Sequence, residues 1–173
     1  MARTADVWST CTGPARQAVA RMELDLFDHV ADLFRSLLPP DLGEPQIRAR
    51  RYGLKVWFGG VAPTREHYEA QVVGARHVAG TSALALEIGF HSEHPKVADN
   101  DAVLAALLAS ERTWRRVLGP EAEAGPFIGR PEDWRRVSET WPDPDLGDPE
   151  LGFELATRLT DYVAALEPVR RAG

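Results

Sequence analysis

Three short segments that alternate apolar and polar residues constrain the fold of this chain more than any other feature. They are residues 52–58, 68–73 and 84–90. Because successive side chains of a β-strand point to opposite faces, residues two apart share a face. The predicted apolar face comprises Tyr52, Leu54, Val56, Phe58, Tyr68, Ala70, Val72, Leu84, Leu86, Ile88 and Phe90. The predicted polar face comprises Arg51, Lys55, Trp57, His67, Glu69, Gln71, Glu87 and His91.

Three helices are predicted around these strands. Apolar residues at three- and four-residue steps indicate a helix over residues 14–38, which Pro39 and Pro40 end. A second helix, over residues 99–118, begins at side chains that can cap it and ends before Gly119. A third begins at Asp148 and continues to Pro168.

The connections between the three strands are too short for parallel crossovers, so we expect antiparallel neighbours. One or two further strands are predicted at residues 127–128 and 134–141. The element order is then helix, three strands, helix, one or two strands, helix. The fold class is α+β, a two-layer domain with a mostly antiparallel sheet and its helices packed on one face. We expect an N-terminal arm at 1–13, a single domain at 14–169 and a short tail at 170–173.

Charge and cysteine content limit the possible partners and compartment. The chain of 173 residues has a formal net charge of -6, which disfavours attachment to a phosphate backbone. Its arginine pairs, such as Arg50 with Arg51, are dispersed along the sequence. Cys11 is the only cysteine, so no intrachain disulfide forms and a reducing compartment is expected. No signal-like or membrane-spanning apolar run occurs, and we expect a cytoplasmic protein without membrane contact.

The polar face carries the residues that suggest chemistry. Glu69 and Glu87 on adjacent strands are candidates for acid and base catalysis, or form ordinary cross-strand ion pairs with Lys55. Trp57 favours a binding surface, because an indole among charged groups offers a large contact area.

The densest polar string in the chain begins at His91. A metal ion would favour His91 together with Glu93, which share a side if the strand continues that far. The string lacks the His-Glu-x-x-His spacing, and Asp99 and Asp101 suit a helix start. We therefore assign no metal ligand and no cofactor from the sequence. Phosphate-loop and serine-hydrolase motifs are also absent from it.

The element order resembles that of two protein groups. The segment 84–90, the helix 99–118, the residues 134–137 and the closing helix resemble a bacterial α+β domain family of uncharacterised function, over roughly residues 20–168. Its members often sit beside restriction-endonuclease-like domains. The order is also similar to that of secretion-chaperone-like proteins, which are acidic, cytoplasmic and dimeric and bind other polypeptides. Both resemblances imply a small accessory module, and neither implies a catalytic residue.

The leading hypothesis from the sequence is a non-enzymatic binding or accessory protein, which we expect to be a homodimer. It would use its exposed polar face for a protein or small ligand, through Lys55, Trp57, Glu69, Gln71, Glu87 and His91. The alternative is a hydrolase in which Glu69, Glu87 and His91 act as acid, base or metal ligands. An accessory nucleic-acid binder is a third possibility, and the negative charge disfavours it.

Overall fold

The computed structural model describes residues 25–60 and 65–172. In these residues the chain forms four α-helices and one six-stranded sheet. The helices are α1 (Leu26–Leu37), α2 (Val97–Leu108), α3 (Glu111–Leu118) and α4 (Leu151–Ala172). The strands are β1 (Pro45–Arg50), β2 (Gly53–Phe58), β3 (Glu66–Gly74), β4 (Leu84–Ser92), β5 (Glu123–Phe127) and β6 (Arg130–Pro142). Short 3-10 helices lie at Pro40–Leu42 and Ala75–His77.

The sheet has the order β1-β2-β3-β4-β6-β5, and each neighbouring pair is antiparallel. The first four strands form the expected meander, and β6 then pairs with β4. This arrangement confirms the predicted two-layer α+β class. In the register of β3 and β4, Tyr68 lies opposite Phe90 and Ala70 opposite Ile88. The predicted apolar residues of the two strands therefore share one face.

The helices cover this apolar face. Helix α4 contributes buried residues at three- and four-residue steps, namely Leu155, Leu159, Tyr162, Val163 and Leu166. Helix α1 contributes Phe27, Val30 and Phe34. They pack with Leu54, Val56, Tyr68, Leu86, Ile88 and Phe90 in one hydrophobic core. The predicted orientation of the alternating segments is confirmed on this side of the sheet.

Several elements differ from the sequence predictions. Strand β1 was not predicted, because only Ile47 and Ala49 are apolar in this exposed edge strand. The helix predicted at 99–118 is two helices, and the break allows the buried indole of Trp114 to donate to the Leu107 carbonyl (2.9 Å). Strand β6 begins at Arg130, four residues before the predicted start.

Helix α4 does not end at Pro168 as predicted, and it continues to Ala172. Proline cannot donate the backbone hydrogen bond of this turn, but ion pairs connect the residues that follow it to the rest of the domain. Arg170 donates to Glu66 and to Glu167, both at 2.6 Å. Arg171 donates to Glu167 at 3.1 Å. The predicted tail therefore contributes its arginines to the domain.

Several sequence predictions lie outside the described residues. They are the N-terminal arm at 1–13 with Cys11, the first part of the first helix at 14–24, and the last residue of the tail, Gly173.

Candidate functional site

Six ionisable side chains meet on the sheet face opposite the helices, five from three neighbouring strands and one from the residue that follows β4. We call this group the polar cluster, and its members are Lys55, His67, Glu69, Glu87, His91 and Glu93. Strand register brings most of them together. Lys55 lies opposite Glu69 on β2 and β3, and His67 lies opposite His91 on β3 and β4. Side chains on directly opposed residues of an antiparallel pair are close neighbours.

The polar face is more buried than the sequence predicted. Glu87 and His91 are 0% exposed and Glu69 is 6% exposed, so the prediction of an open polar face is wrong for these residues. Part of the cover comes from β5, where the ring of Phe127 packs edge to face against His91 with centroids 4.7 Å apart. The cluster reaches solvent on one side, where the side chains of Lys55 and Glu93 are 37% and 17% exposed.

Gly89 lies between Glu87 and His91 on β4, and it also determines the shape of this face. Its φ is 157°, and a Cβ atom there would overlap the backbone of Val137 and Ser138 on β6. Glycine therefore permits the close approach of β6. This approach brings the Ser138 hydroxyl within 2.7 Å of Glu87, to which it donates a hydrogen bond.

Lys55 is the cation at the open side of the cluster. Its Nζ lies 2.9 Å from His67 Nε2, 3.2 Å from Glu69 Oε2 and 3.5 Å from Glu93 Oε1. Burial alone would lower the pKa of Lys55, but attraction to the two carboxylates raises it above its ordinary value. The amine is therefore protonated at neutral pH and is not a nucleophile in this arrangement.

His67 is neutral and presents a lone pair to the cluster. Burial is the main reason why its pKa is lowered, and the charge of Lys55 adds to the effect, whereas the nearby Glu69 carboxylate opposes it. An ammonium group only donates hydrogen bonds, so His67 Nε2 accepts from Lys55 and the ring proton lies on Nδ1. Nδ1 is buried and has no hydrogen-bond partner. Nε2 is therefore available to a cation.

His91 is held between two carboxylates. Its Nδ1 lies 3.2 Å from Glu69 Oε2 and its Nε2 lies 3.2 Å from Glu87 Oε1. Burial lowers the pKa of His91, but Glu87 and Glu69 together raise it to about 9. Burial likewise opposes the ionisation of Glu87, yet His91, Ser138 and Gln71 lower its pKa. The pair is thus an imidazolium and a carboxylate at neutral pH.

Four potential ligand atoms converge in the middle of the cluster. His67, Glu69, His91 and Glu93 each offer one such atom, and all four lie within 4.8 Å of one another. Glu69 Oε2 is 3.2 Å from a ring nitrogen of each histidine. Burial would raise the pKa of Glu69, but Lys55 and the two histidines hold it well below its ordinary value. The buried Glu69 carboxylate therefore depends on neighbouring positive charge, which Lys55 and His91 supply in the metal-free protein.

The other predicted binding residues have different positions. Gln71 donates to Glu87 (2.8 Å) and so supports the cluster. Trp57 makes no hydrogen bond to it, since its buried indole nitrogen has no partner, and the Arg48 guanidinium lies 5.7 Å from its ring. Sequence reasoning included Glu69, Glu87 and His91 but left His67 and Glu93 out of the site. The available signal was a repeated His-x-Glu at 67–69 and 91–93, which places all four side chains on one face of paired strands.

A shallow surface groove of about 300 Å³ lies far from this chemistry, on the helix side. Its lining residues are Trp141, Phe153, Glu154, Thr157, Arg158 and Asp161. Arg158 already pairs with the buried Glu139 and with Asp161. Unlike the polar cluster, the groove contains no group of converging acceptors, and we place the candidate site at the cluster.

Three arginines from the dispersed pairs are engaged in ion pairs within the domain. Arg135 pairs with Asp101, Arg136 with Glu123 and Arg170 with two glutamates. These side chains therefore hold strands and helices together.

Comparison of the chain with protein-family models, curated proteins and solved structures found no match. None of the helices in the described part of the chain is long and apolar enough to span a membrane.

Proposed function

We propose that this protein binds a divalent transition-metal ion at the polar cluster. The ligand atoms are His67 Nε2, Glu69 Oε2, His91 Nδ1 and Glu93 Oε1. The observation that carries the proposal is the convergence of these two imidazoles and two carboxylates within 4.8 Å. A tetrahedral ion with bonds of about 2.0–2.2 Å separates its ligand atoms by roughly 3.3–3.6 Å. The three distances among neighbouring ligand atoms, 3.2, 3.2 and 3.5 Å, agree with that spacing.

The ligand types favour zinc or a similar metal over calcium or magnesium. Calcium and magnesium prefer oxygen ligands, whereas imidazole suits zinc and its first-row neighbours. A metal requires an unprotonated nitrogen, which the neutral His67 already offers, whereas His91 gives up its Nδ1 proton when the ion binds.

The surroundings of His91 support the same function. Histidine ligands usually give their second ring N–H to a carboxylate, which fixes the orientation of the ring. Here the second nitrogen, Nε2, faces Glu87, and Glu87 is itself held by the Ser138 hydroxyl and the Gln71 amide. His91 Nδ1 is thereby directed at the other ligand atoms.

Metal binding without catalysis is the simpler version of this function. Four protein ligands occupy every position of a tetrahedral ion and leave none for water or substrate. The second candidate is a metal-dependent hydrolase, favoured by the partial exposure of Glu93. If Glu93 yields its position to water, the ion has an open site and Glu69, Glu87 and His91 stay around it. The absorption spectrum of the cobalt-substituted protein separates the two, since a closed tetrahedral site does not respond to added azide and an open site does.

Metal titration of the 173-residue chain tests the proposal. After removal of metals with a chelator, isothermal titration with zinc should give one ion per chain. The variants His67→Ala and His91→Ala should lose this binding while His77→Ala, at an exposed histidine outside the cluster, retains it. A folded wild-type protein that takes up no zinc, manganese or cobalt would refute the proposal.

A further inference from the structure

Lys55 places its ammonium group among the proposed metal ligands. Its Nζ contacts three of the four ligand atoms, those of His67, Glu69 and Glu93, at 2.9 to 3.5 Å. An ammonium nitrogen and a metal ion cannot both occupy this position, because each needs the same lone pairs. The two cations therefore compete for one site.

We propose that Lys55 is the resident cation of the metal-free site and that the metal expels it, so that Lys55 sets the affinity and the reversibility of binding. This inference rests on the proposed metal-binding function. In the metal-free protein, the ammonium group neutralises Glu69 and Glu93 and donates to His67. In the metal-bound protein, the ion takes over these contacts and Lys55 turns to solvent.

The position of Lys55 allows this exchange. Its side chain is 37% exposed, and it extends from β2, next to the edge strand, so an outward rotation meets solvent. The flexible four-carbon side chain of Lys55 can therefore place its ammonium group either at the ligand atoms or in solvent. Glu69, His67 and His91 lack that freedom, because they are buried in the centre of the sheet.

The choice of lysine at this position is unusual for this chain. Of 20 basic residues counted as lysine or arginine, only Lys55 and Lys96 are lysines. Arginine would present a planar fork with several donors and would hold two carboxylates more rigidly, whereas an ammonium is a compact charge on a flexible stem. A lysine is the better residue for a position that must be vacated.

Selective labelling of lysine in the wild-type protein tests the exchange directly. The protein is treated with an amine-acylating reagent, with and without one equivalent of zinc, and the modification of each lysine is followed by mass spectrometry. Lys55 should be modified several times faster in the presence of zinc, because its amine leaves the carboxylates. The exposed Lys96 is the internal control and should react equally in both samples. An unchanged or slower modification of Lys55, in a sample shown to contain bound zinc, overturns the inference.

The variant Lys55→Met provides the second test, with Lys96→Met as its matched control. Removal of the competing cation should tighten zinc binding by about fivefold, an effect of the size that a partly exposed ion pair supplies. Without metal, the same variant should melt at a lower temperature than the wild type, and excess zinc should abolish the difference. Equal or weaker zinc binding by Lys55→Met would contradict the role of Lys55. Absence of zinc binding in wild type and variant alike would instead refute the proposed function.

Discussion

The metal-free protein should lose stability as the pH rises from 6.5 to 9, because of His91. This histidine is fully buried, and its pKa is raised from 6.5 to about 9 in the folded protein, chiefly by Glu87 against the cost of burial. A group with a raised pKa stabilises the fold fully below its unfolded value and loses that contribution as the pH passes its folded value. At about 1.36 kcal/mol per pKa unit, the loss is about 3 kcal/mol.

Urea unfolding at a series of pH values, in the presence of a chelator, measures this contribution. The variant His91→Gln is the reference, because all other titrating groups are common to both proteins. The free energy of unfolding of the wild type should fall by about 3 kcal/mol more than that of the variant between pH 6.5 and 9. His67 has the opposite effect, and both proteins contain it. Its pKa is lowered in the folded state, so both proteins lose stability as the pH falls below 6.5. Parallel curves for the two proteins above pH 6.5 would refute the assignment of an imidazolium between two carboxylates.

Three further predictions concern the supporting residues and the assembly. Glu87→Gln should weaken zinc binding by roughly 10- to 100-fold, because His91 loses the carboxylate that orients it. The control Glu44→Gln, at an exposed site, should leave zinc binding unchanged. Equal dissociation constants for the two variants in a zinc titration would contradict this prediction. Gly89→Ala should destabilise the protein by about 3 kcal/mol or more through overlap with β6, and Gly125→Ala, with open space around it, should have a small effect. Similar urea midpoints for the two glycine variants would be inconsistent with the close approach. The homodimer expected from the sequence remains a prediction, and light scattering that gives a monomer at micromolar concentrations would remove it.

The alternation of apolar residues was sufficient to predict the sheet and the side that the helices cover. The structure buries Leu54, Leu86 and Ile88 as expected, because the face that a strand residue occupies is set by its position along the strand and not by distant contacts. Strand β1 was not predicted, because an edge strand with few apolar residues has little hydrophobic periodicity. The continuation of α4 past Pro168 depends on ion pairs to distant residues, which a local pattern does not contain.

The candidate site was predicted only in part, for a related reason. Glu69, Glu87 and His91 belong to the alternating segments, and parity placed them on one face. Alternation also placed His67 on this face, but its contact with His91 follows from the register of β3 and β4, and Glu93 joins the group because the chain stays extended past the apolar residues of β4. Burial of this face depends on Gly89 and Phe127, whose effects come from the approach of β6 and β5. Such contacts follow from tertiary structure and have no signature within a single strand.

Anomalous diffraction at the zinc edge, from crystals grown with one equivalent of zinc, shows whether His67, Glu69, His91 and Glu93 hold a metal ion. We expect one strong anomalous peak per chain, within about 2.0–2.2 Å of two imidazole nitrogens and two carboxylate oxygens, with the Lys55 amine turned away. A zinc peak elsewhere, or no peak with Lys55 still between Glu69 and Glu93, would contradict it.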